Sequence, residues 1–206
     1  MATPAAKIAI KKNLSGQNWW TANQGKPAFS NSTSIDKLDA TFQANIKAFK
    51  KALEDAGASI QISTTRRSEN RAYVMHWAWK VAKGLVTADK VPAKTGVDIT
   101  WDHGNAVASK KGAQEIVTAA RIAYQPSLTS NHIKGKAIDW TITWTGDLKI
   151  KNKLGKEVVI KSMPKHGGQG QSHNGNTELH AVGKTYGVVK AKFTKIDGPH
   201  WSVDGK

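Results

Sequence analysis

Ser130-Asn131-His132-Ile133-Lys134-Gly135-Lys136-Ala137-Ile138-Asp139-Trp140-Thr141-Ile142-Thr143-Trp144 is the stretch on which the reading of this chain turns. Its second half alternates apolar and polar residues, the period of a strand with one buried face. A central strand is therefore predicted over 137–144, with Asp139 facing one side and Trp140 the other. The first half predicts a loop in which Gly135 lets the chain turn, so that His132 and Asp139 converge. Further on, Asp197-Gly198-Pro199-His200-Trp201 adds a second imidazole. Three protein ligands and one open position for water make a catalytic zinc site. His132, Asp139 and His200 supply such a set, and Asp197 is left as a candidate base, brought close by the bend at Gly198 and Pro199. On a strand, His200 would point toward the metal and Trp201 away from it. Asp-Gly-Pro alone is ordinary turn chemistry, and a lone His-x-x-Gly-x-Ala-x-Asp can be a solvated loop. The assignment rests on both segments occurring in order on strand-like flanks.

The pattern Ser130-x-His132-x-x-Gly135-x-Ala137-x-Asp139 with a late His200-Trp201 resembles the zinc peptidases that cleave peptidoglycan stem peptides. That group contains D-Ala-D-Ala carboxypeptidases and phage endolysins of the L-alanyl-D-glutamate endopeptidase type. The resemblance runs from about Ile60 to Trp201, with clear motifs in three short patches. It implies that His132, Asp139 and His200 bind Zn2+ and that Asp197, three positions before the second histidine, is the general base. Many members carry Glu there and some carry Asp, so the position matches while the shorter side chain is a departure. The family also carries an arginine in a Ser-Gly-Tyr-Arg-Ser-like segment after an early strand. Ser63-Thr64-Thr65-Arg66-Arg67-Ser68 stands in that place without the Gly-Tyr, and Ser68 selects Arg67. The implied role is to bind the substrate carboxylate or the oxyanion. Arg66, Ser130 and Trp201 are further substrate-binding candidates.

At 206 residues with 39% hydrophobic content and eight Trp, the chain is expected to fold around a proper core. The absence of cysteine removes disulfides and Cys-based zinc sites together, so any metal must use histidine and carboxylate. The N-terminal residues lack the apolar core of a signal peptide, and no run approaches the roughly 20 apolar residues of a membrane span. The expectation is a soluble, monomeric protein made in the cytoplasm. It would reach the cell wall through another system, such as a phage holin or a contractile secretion device. The net charge of +16 points to polyanions. Lysines are spread from Lys7 to Lys206, with no helix-turn-helix, zinc-finger or ribonucleoprotein signature. Peptidoglycan and anionic envelope polymers are thus the expected partners, and specific nucleic acid is not.

Residues 1–34 are polar apart from Trp19-Trp20 and read as an N-terminal arm, with the two indoles docked on a core in preference to forming a sugar-stacking patch. Residues 35–206 read as a single catalytic domain. Leu38, Phe42, Ile46, Phe49 and Leu53 predict a helix from a Ser34 cap to Gly57. A strand follows over 58–63, then a helix over 68–83 with Tyr73, Trp77 and Val81 on one face. An irregular excursion is expected over 85–109 and a third helix over 111–124. A hairpin is predicted over 148–161, a short helix over 178–186 and terminal strands beyond. The order of elements predicts an α+β fold with helices gathered against a small antiparallel sheet. His76, on a structural helix, is not read as a ligand. His166, His173 and His180 sit in Gly/Gln/Asn-rich surroundings and read as a loop beside the cleft in preference to a second metal site. The rival to the peptidase is a non-catalytic, zinc-containing module that binds cell wall or a polyanion. Asp197 argues against it, because such a module needs no base.

Overall fold

The computed structural model describes residues 12–162, 172–191 and 198–206. In chain order its elements are α1 (Gln17–Asn23), α2 (Ala40–Asp55), β1 (Ser59–Thr64), α3 (Glu69–Ala82), α4 (Ala106–Ala119), β2 (Ala137–Thr143), β3 (Leu148–Lys151), β4 (Glu157–Ile160), α5 (Thr177–Thr185), β5 (Val189–Lys190) and β6 (His200–Ser202). This is the expected α+β class, with a small antiparallel sheet. The chain divides into two compact units: one runs to Ser30 and resumes over Ser68–Leu128, and the other is Asn31–Arg67 with Thr129–Lys206. The stretch read as one domain over 35–206 contributes to both units. No described helix is long and apolar enough to cross a membrane.

The first unit is helical. Trp19 and Trp20 of α1 are buried with Phe29, Tyr73, Val74, Ala78, Trp101, Ala113 and Ile116, so the indole pair docks as expected. Trp19 Nε1–H donates to the Asp98 carbonyl at 2.7 Å, and the Arg71 guanidinium lies over the Trp20 ring, 4.6 Å from its centre. One expectation needs correction here. The third helix begins at Ala106 and ends at Ala119, five residues earlier at each end than the apolar pattern suggested. Asn105 caps it, its side-chain oxygen accepting from Ala108 N–H at 2.8 Å. Its first turn carries no buried apolar residue, Val107 being 81% exposed, so no periodic signal marked it. Its end is set by Arg121, which adopts a left-handed φ of 52°.

The second unit carries the four-stranded sheet, ordered β1-β2-β6-β5 and antiparallel throughout. Along β2, Ile138, Trp140 and Ile142 are fully buried. They pack with Trp201 against Phe42, Ile46, Phe49 and Leu53 of α2. Each such aliphatic or phenyl side chain contributes about 1.5–3 kcal/mol on burial. Phe49 sits at the centre, its ring 5.8 Å from Trp140 and 5.8 Å from Trp201. The helix predicted from Ser34 is split. Ser34 caps a single 3₁₀ turn, Ile35–Lys37, and Asp39 caps α2 by accepting from Thr41 N–H and Phe42 N–H. The hairpin forms as expected, with Leu148, Ile150 and Ile160 buried.

Candidate metal centre

The register of the sheet decides which side chains meet. Asp139 of β2 and His200 of β6 are directly opposed, so both project from the same face. Their neighbours Ile138 and Trp201 are opposed in the same way and fall on the core face. Trp201 is fully buried, packed on Phe49 and Trp140. Its assignment as a substrate-binding residue is therefore corrected: alternation along β6 turns the indole into the core. That packing is close, since a Cβ on Gly183 of α5 would stand 2.6 Å from the Trp201 ring.

His132 reaches the same face from the loop before β2. The turn at Gly135 has a φ of +69° and approaches so closely that a Cβ there would lie 2.9 Å from Asp39 N. The Gly135 carbonyl accepts from that Asp39 N–H at 2.9 Å, tying the loop to the start of α2. Arg67 N–H donates to the His132 carbonyl at 3.1 Å. Thus two separate chain segments, the start of α2 and the segment after β1, hold the loop.

His132 Nε2, His200 Nδ1 and Asp139 Oδ1 form a triangle with all three edges 3.1 Å. Both imidazoles are buried, with exposures of 4% and 7%. The other nitrogen of each ring faces a main-chain oxygen. His132 Nδ1 lies 3.3 Å from Thr65 O, and His200 Nε2 lies 3.0 Å from Lys206 O. A carbonyl only accepts, so those outer nitrogens carry the protons and the inner ones present lone pairs. Three electron-rich atoms then face one another, which is repulsive unless a cation or added protons sit among them. Burial by itself would raise the Asp139 carboxyl. When protons rather than a metal ion fill the triangle, the hydrogen bonds and charge of His132 and His200 outweigh it and hold the group well below the usual carboxylate range.

The donor set fits a metal ion. Ligand pairs around a tetrahedral zinc with bonds of about 2.0–2.1 Å stand about 3.3–3.4 Å apart, within a few tenths of the observed edges. Anchoring the outer imidazole nitrogens on carbonyls is how ligating histidines are commonly oriented. Among the described residues this is the one group of three His, Asp or Glu side chains whose ligand atoms converge.

The remaining candidates fall differently. Arg67 is half-buried and its Nε makes no hydrogen bond among the described residues, whereas Arg66 is exposed and offers its carbonyl to Ser32 N–H. Ser130 accepts from Ile133 N–H through its carbonyl, and its Oγ is buried without a described partner. Asp197 and His166 lie outside the described residues. His173 and His180 bond locally, and among the described residues they belong to no group of ligand atoms that could hold a metal ion. His76 Nδ1 is 2.7 Å from the Pro126 carbonyl, a structural contact.

Several supporting residues were not anticipated. Thr65 is fully buried, and its hydroxyl donates to the carbonyls of Ser32 and Ser34. Lys190, also buried, donates to the His200 carbonyl at 2.9 Å. Asn131 Nδ2 donates to Lys206 O at 3.1 Å and to Asp204 at 2.8 Å. Ser202 Oγ receives Gly205 N–H and Lys206 N–H. Only the Ser202-Val203-Asp204-Gly205 turn carries a local sequence signal; the rest are long-range contacts.

Compared with protein-family models, with curated proteins and with solved structures, the chain matches none.

Proposed function

We infer that this protein is a zinc-dependent peptidase acting on the stem peptides of bacterial peptidoglycan. The observation that carries the reading is the buried His132–Asp139–His200 triangle with lone pairs turned inward. Two neutral imidazoles and one carboxylate suit zinc, and with no cysteine in the chain the softer thiolate sites are absent. The three protein ligands found among the described residues match the donor count of catalytic zinc sites. Zinc held there would supply Lewis acidity and lower the pKa of a bound water to about 7.

The chain's own groups then have distinct tasks. Thr65 O and Lys206 O fix the two imidazole tautomers, so no ring flip is needed for the donors to face inward. Asp197, three residues before His200 in sequence, would take the proton of the attacking water and return it to the leaving amine. Arg67, tied through its main chain to His132, would bind the substrate carboxylate or the developing oxyanion. The family likeness of the Ser130-to-Asp139 motif supports peptidoglycan as the substrate, and the net charge of +16 suits an anionic envelope.

The test is digestion of purified peptidoglycan with mass spectrometry of the released muropeptides, using wild type and Asp197→Asn. Wild type should cut a stem-peptide amide bond. The variant should keep its zinc and lose about 10²- to 10⁴-fold in rate. A zinc-loaded wild type that binds sacculi and releases no peptide would establish the binding-module reading instead.

A further inference from the structure

We propose that the second unit carries a separate binding groove for a flexible aliphatic phosphodiester chain, formed between α2 and the β3–β4 hairpin. The groove measures about 770 Å³. One wall is α2, where Lys47 and Lys51 stand one turn apart above Ala48, Ala52 and Ala56. The other wall is the hairpin, where Lys149 and Lys151 occupy the outward positions of β3, alternating with buried Leu148 and Ile150. Lys153 stands in the following turn. Five lysines thus line a groove that contains two carboxylates, Asp55 and Glu157. Asp55 is engaged by Lys51 at 2.8 Å, and Lys47 is drawn to Asp36 at 2.9 Å. Among the described residues no carboxylate lies within ion-pair distance of Lys149, Lys151 or Lys153.

The lining selects the chemistry of the ligand. All five cations are ammonium groups, which bind phosphate as point charges without the planar fork that arginine offers carboxylate and phosphate alike. Four residues along a helix rise about 6 Å and two along a strand about 6.6–6.8 Å. Both walls therefore repeat their charge at nearly the spacing of successive phosphates in an extended phosphodiester chain. Alanines on the floor leave room for a thin chain. The single aromatic residue, Tyr186, is not available for stacking: it is 8% exposed, its ring is stacked on Phe49, and its hydroxyl donates to the Lys151 carbonyl. Single-stranded nucleic acid is held by stacking its bases on exposed rings, and none is present among the described residues that line this groove. A polyol phosphate polymer needs none.

The groove is independent of the metal centre. Asp139 and His200 project from one face of the sheet, whereas α2 packs on the opposite face through Phe49, Trp140 and Trp201. A ligand in the groove would hold the protein on an anionic polymer while the metal face stays clear.

Fluorescence polarisation with labelled poly(glycerol phosphate), across a salt series, tests this. Against it are set poly-glutamate and a mixed-sequence single-stranded oligonucleotide of equal charge. Lys149→Ala/Lys151→Ala/Lys153→Ala should lower affinity for poly(glycerol phosphate) about tenfold or more near 0.1 M salt. It should also flatten the log–log salt slope by about 2, at roughly 0.7 per lost contact. The charge-retaining Lys149→Arg/Lys151→Arg/Lys153→Arg variant should bind nearly as wild type, separating loss of charge from loss of fold. His132→Ala/His200→Ala should also bind as wild type, so failure of the peptidase reading leaves this result readable. An equal loss from Lys26→Ala/Lys110→Ala/Lys111→Ala, exposed lysines of the helical unit, would overturn the proposal in favour of diffuse attraction. Tighter binding of the oligonucleotide or of poly-glutamate would overturn the ligand class.

Discussion

His132 and His200 on one side, and His173 and His180 on the other, are two histidine pairs in the same compact unit with opposite fates. In the first pair each outer nitrogen meets a main-chain oxygen, so each inner nitrogen turns a lone pair onto Asp139. In the second pair the bonds are local. His173 Nδ1 accepts from Gly175 N–H at 2.8 Å, which uses up its lone pair. His180 Nε2 donates to the Asn174 carbonyl at 2.6 Å, and its ring meets the edge of Trp201. Asn174 is itself part of the sheet, donating to the Trp140 carbonyl and accepting from Ile142 N–H. The first pair turns its inner nitrogens toward a shared carboxylate and can hold a cation there, whereas the second is bonded to the main chain. Ligand competence is decided by where the second nitrogen of each ring goes, not by how many histidines are near.

The strongest way to break this contrast is metal content. Wild type should bind about one zinc per chain, measured by elemental analysis after dialysis. His132→Ala, Asp139→Ala and His200→Ala should each abolish it, and His173→Ala/His180→Ala should keep it. Zinc at about a hundredfold over its dissociation constant should stabilise wild type by about 2.7 kcal/mol and the ligand variants not at all. A full equivalent of zinc retained in His132→Ala/His200→Ala would place the site elsewhere.

A smaller effect is expected from the turn that delivers His132. Gly135→Ala puts a Cβ against Asp39 N in a left-handed backbone, which should cost about 1–3 kcal/mol in urea denaturation. Because the displaced loop carries a ligand, zinc affinity should fall about 10- to 100-fold, as when supporting contacts of a ligand are lost. Unchanged affinity alongside reduced stability would mean that the loop does not position the imidazole.

The smallest effect sharpens the other half of the comparison. Burial, with a further contribution from the Lys190 charge, pushes the His180 imidazole below its usual 6.5, against the opposing bond to Asn174. A lowered folded value means that the unfolded chain takes up the proton first. Stability linked to His180 is therefore present above about pH 6.5 and declines as the pH falls toward the folded value. His180→Gln, which can still donate to the Asn174 carbonyl, should show a shallower loss of stability on acidification than wild type. Parallel stability–pH curves for the two proteins would show that His180 does not resist protonation in the fold.

Much of this architecture was legible because local chemistry and tertiary structure agree. The alternation of 137–144 placed Trp140 and Asp139 on opposite faces, and the 3.6-residue period of Phe42, Ile46, Phe49 and Leu53 marked the helix that covers the core face. The hairpin over 148–161 followed from two alternating runs around a Gly-containing turn. Where patterns were weak, boundaries slipped. The Ala106–Ser109 turn of α4 has no apolar period, and the Asp39 cap was hidden behind Ser34, an equally good cap that closes a 3₁₀ turn. Trp201 was offered as a substrate contact on motif proximity although alternation along its strand already turned it away from the metal, and its burial agrees with the alternation.

Residue type and order alone determined that any metal here must use histidine and carboxylate, and that His132, Asp139 and His200 were the set to try. They also determined one strand with a polar and an apolar face, since side-chain alternation is a property of the backbone itself. Only the tertiary structure decided that Asp139 and His200 are cross-strand partners, because register is set by long-range pairing. It alone decided the imidazole tautomers, since the carbonyls of Thr65 and Lys206 lie 67 and 6 residues from the rings they face. The same holds for the lysine groove: residues 47–56 and 149–157 are far apart in the chain, and their charges become one surface only when α2 and the hairpin pack on a common core.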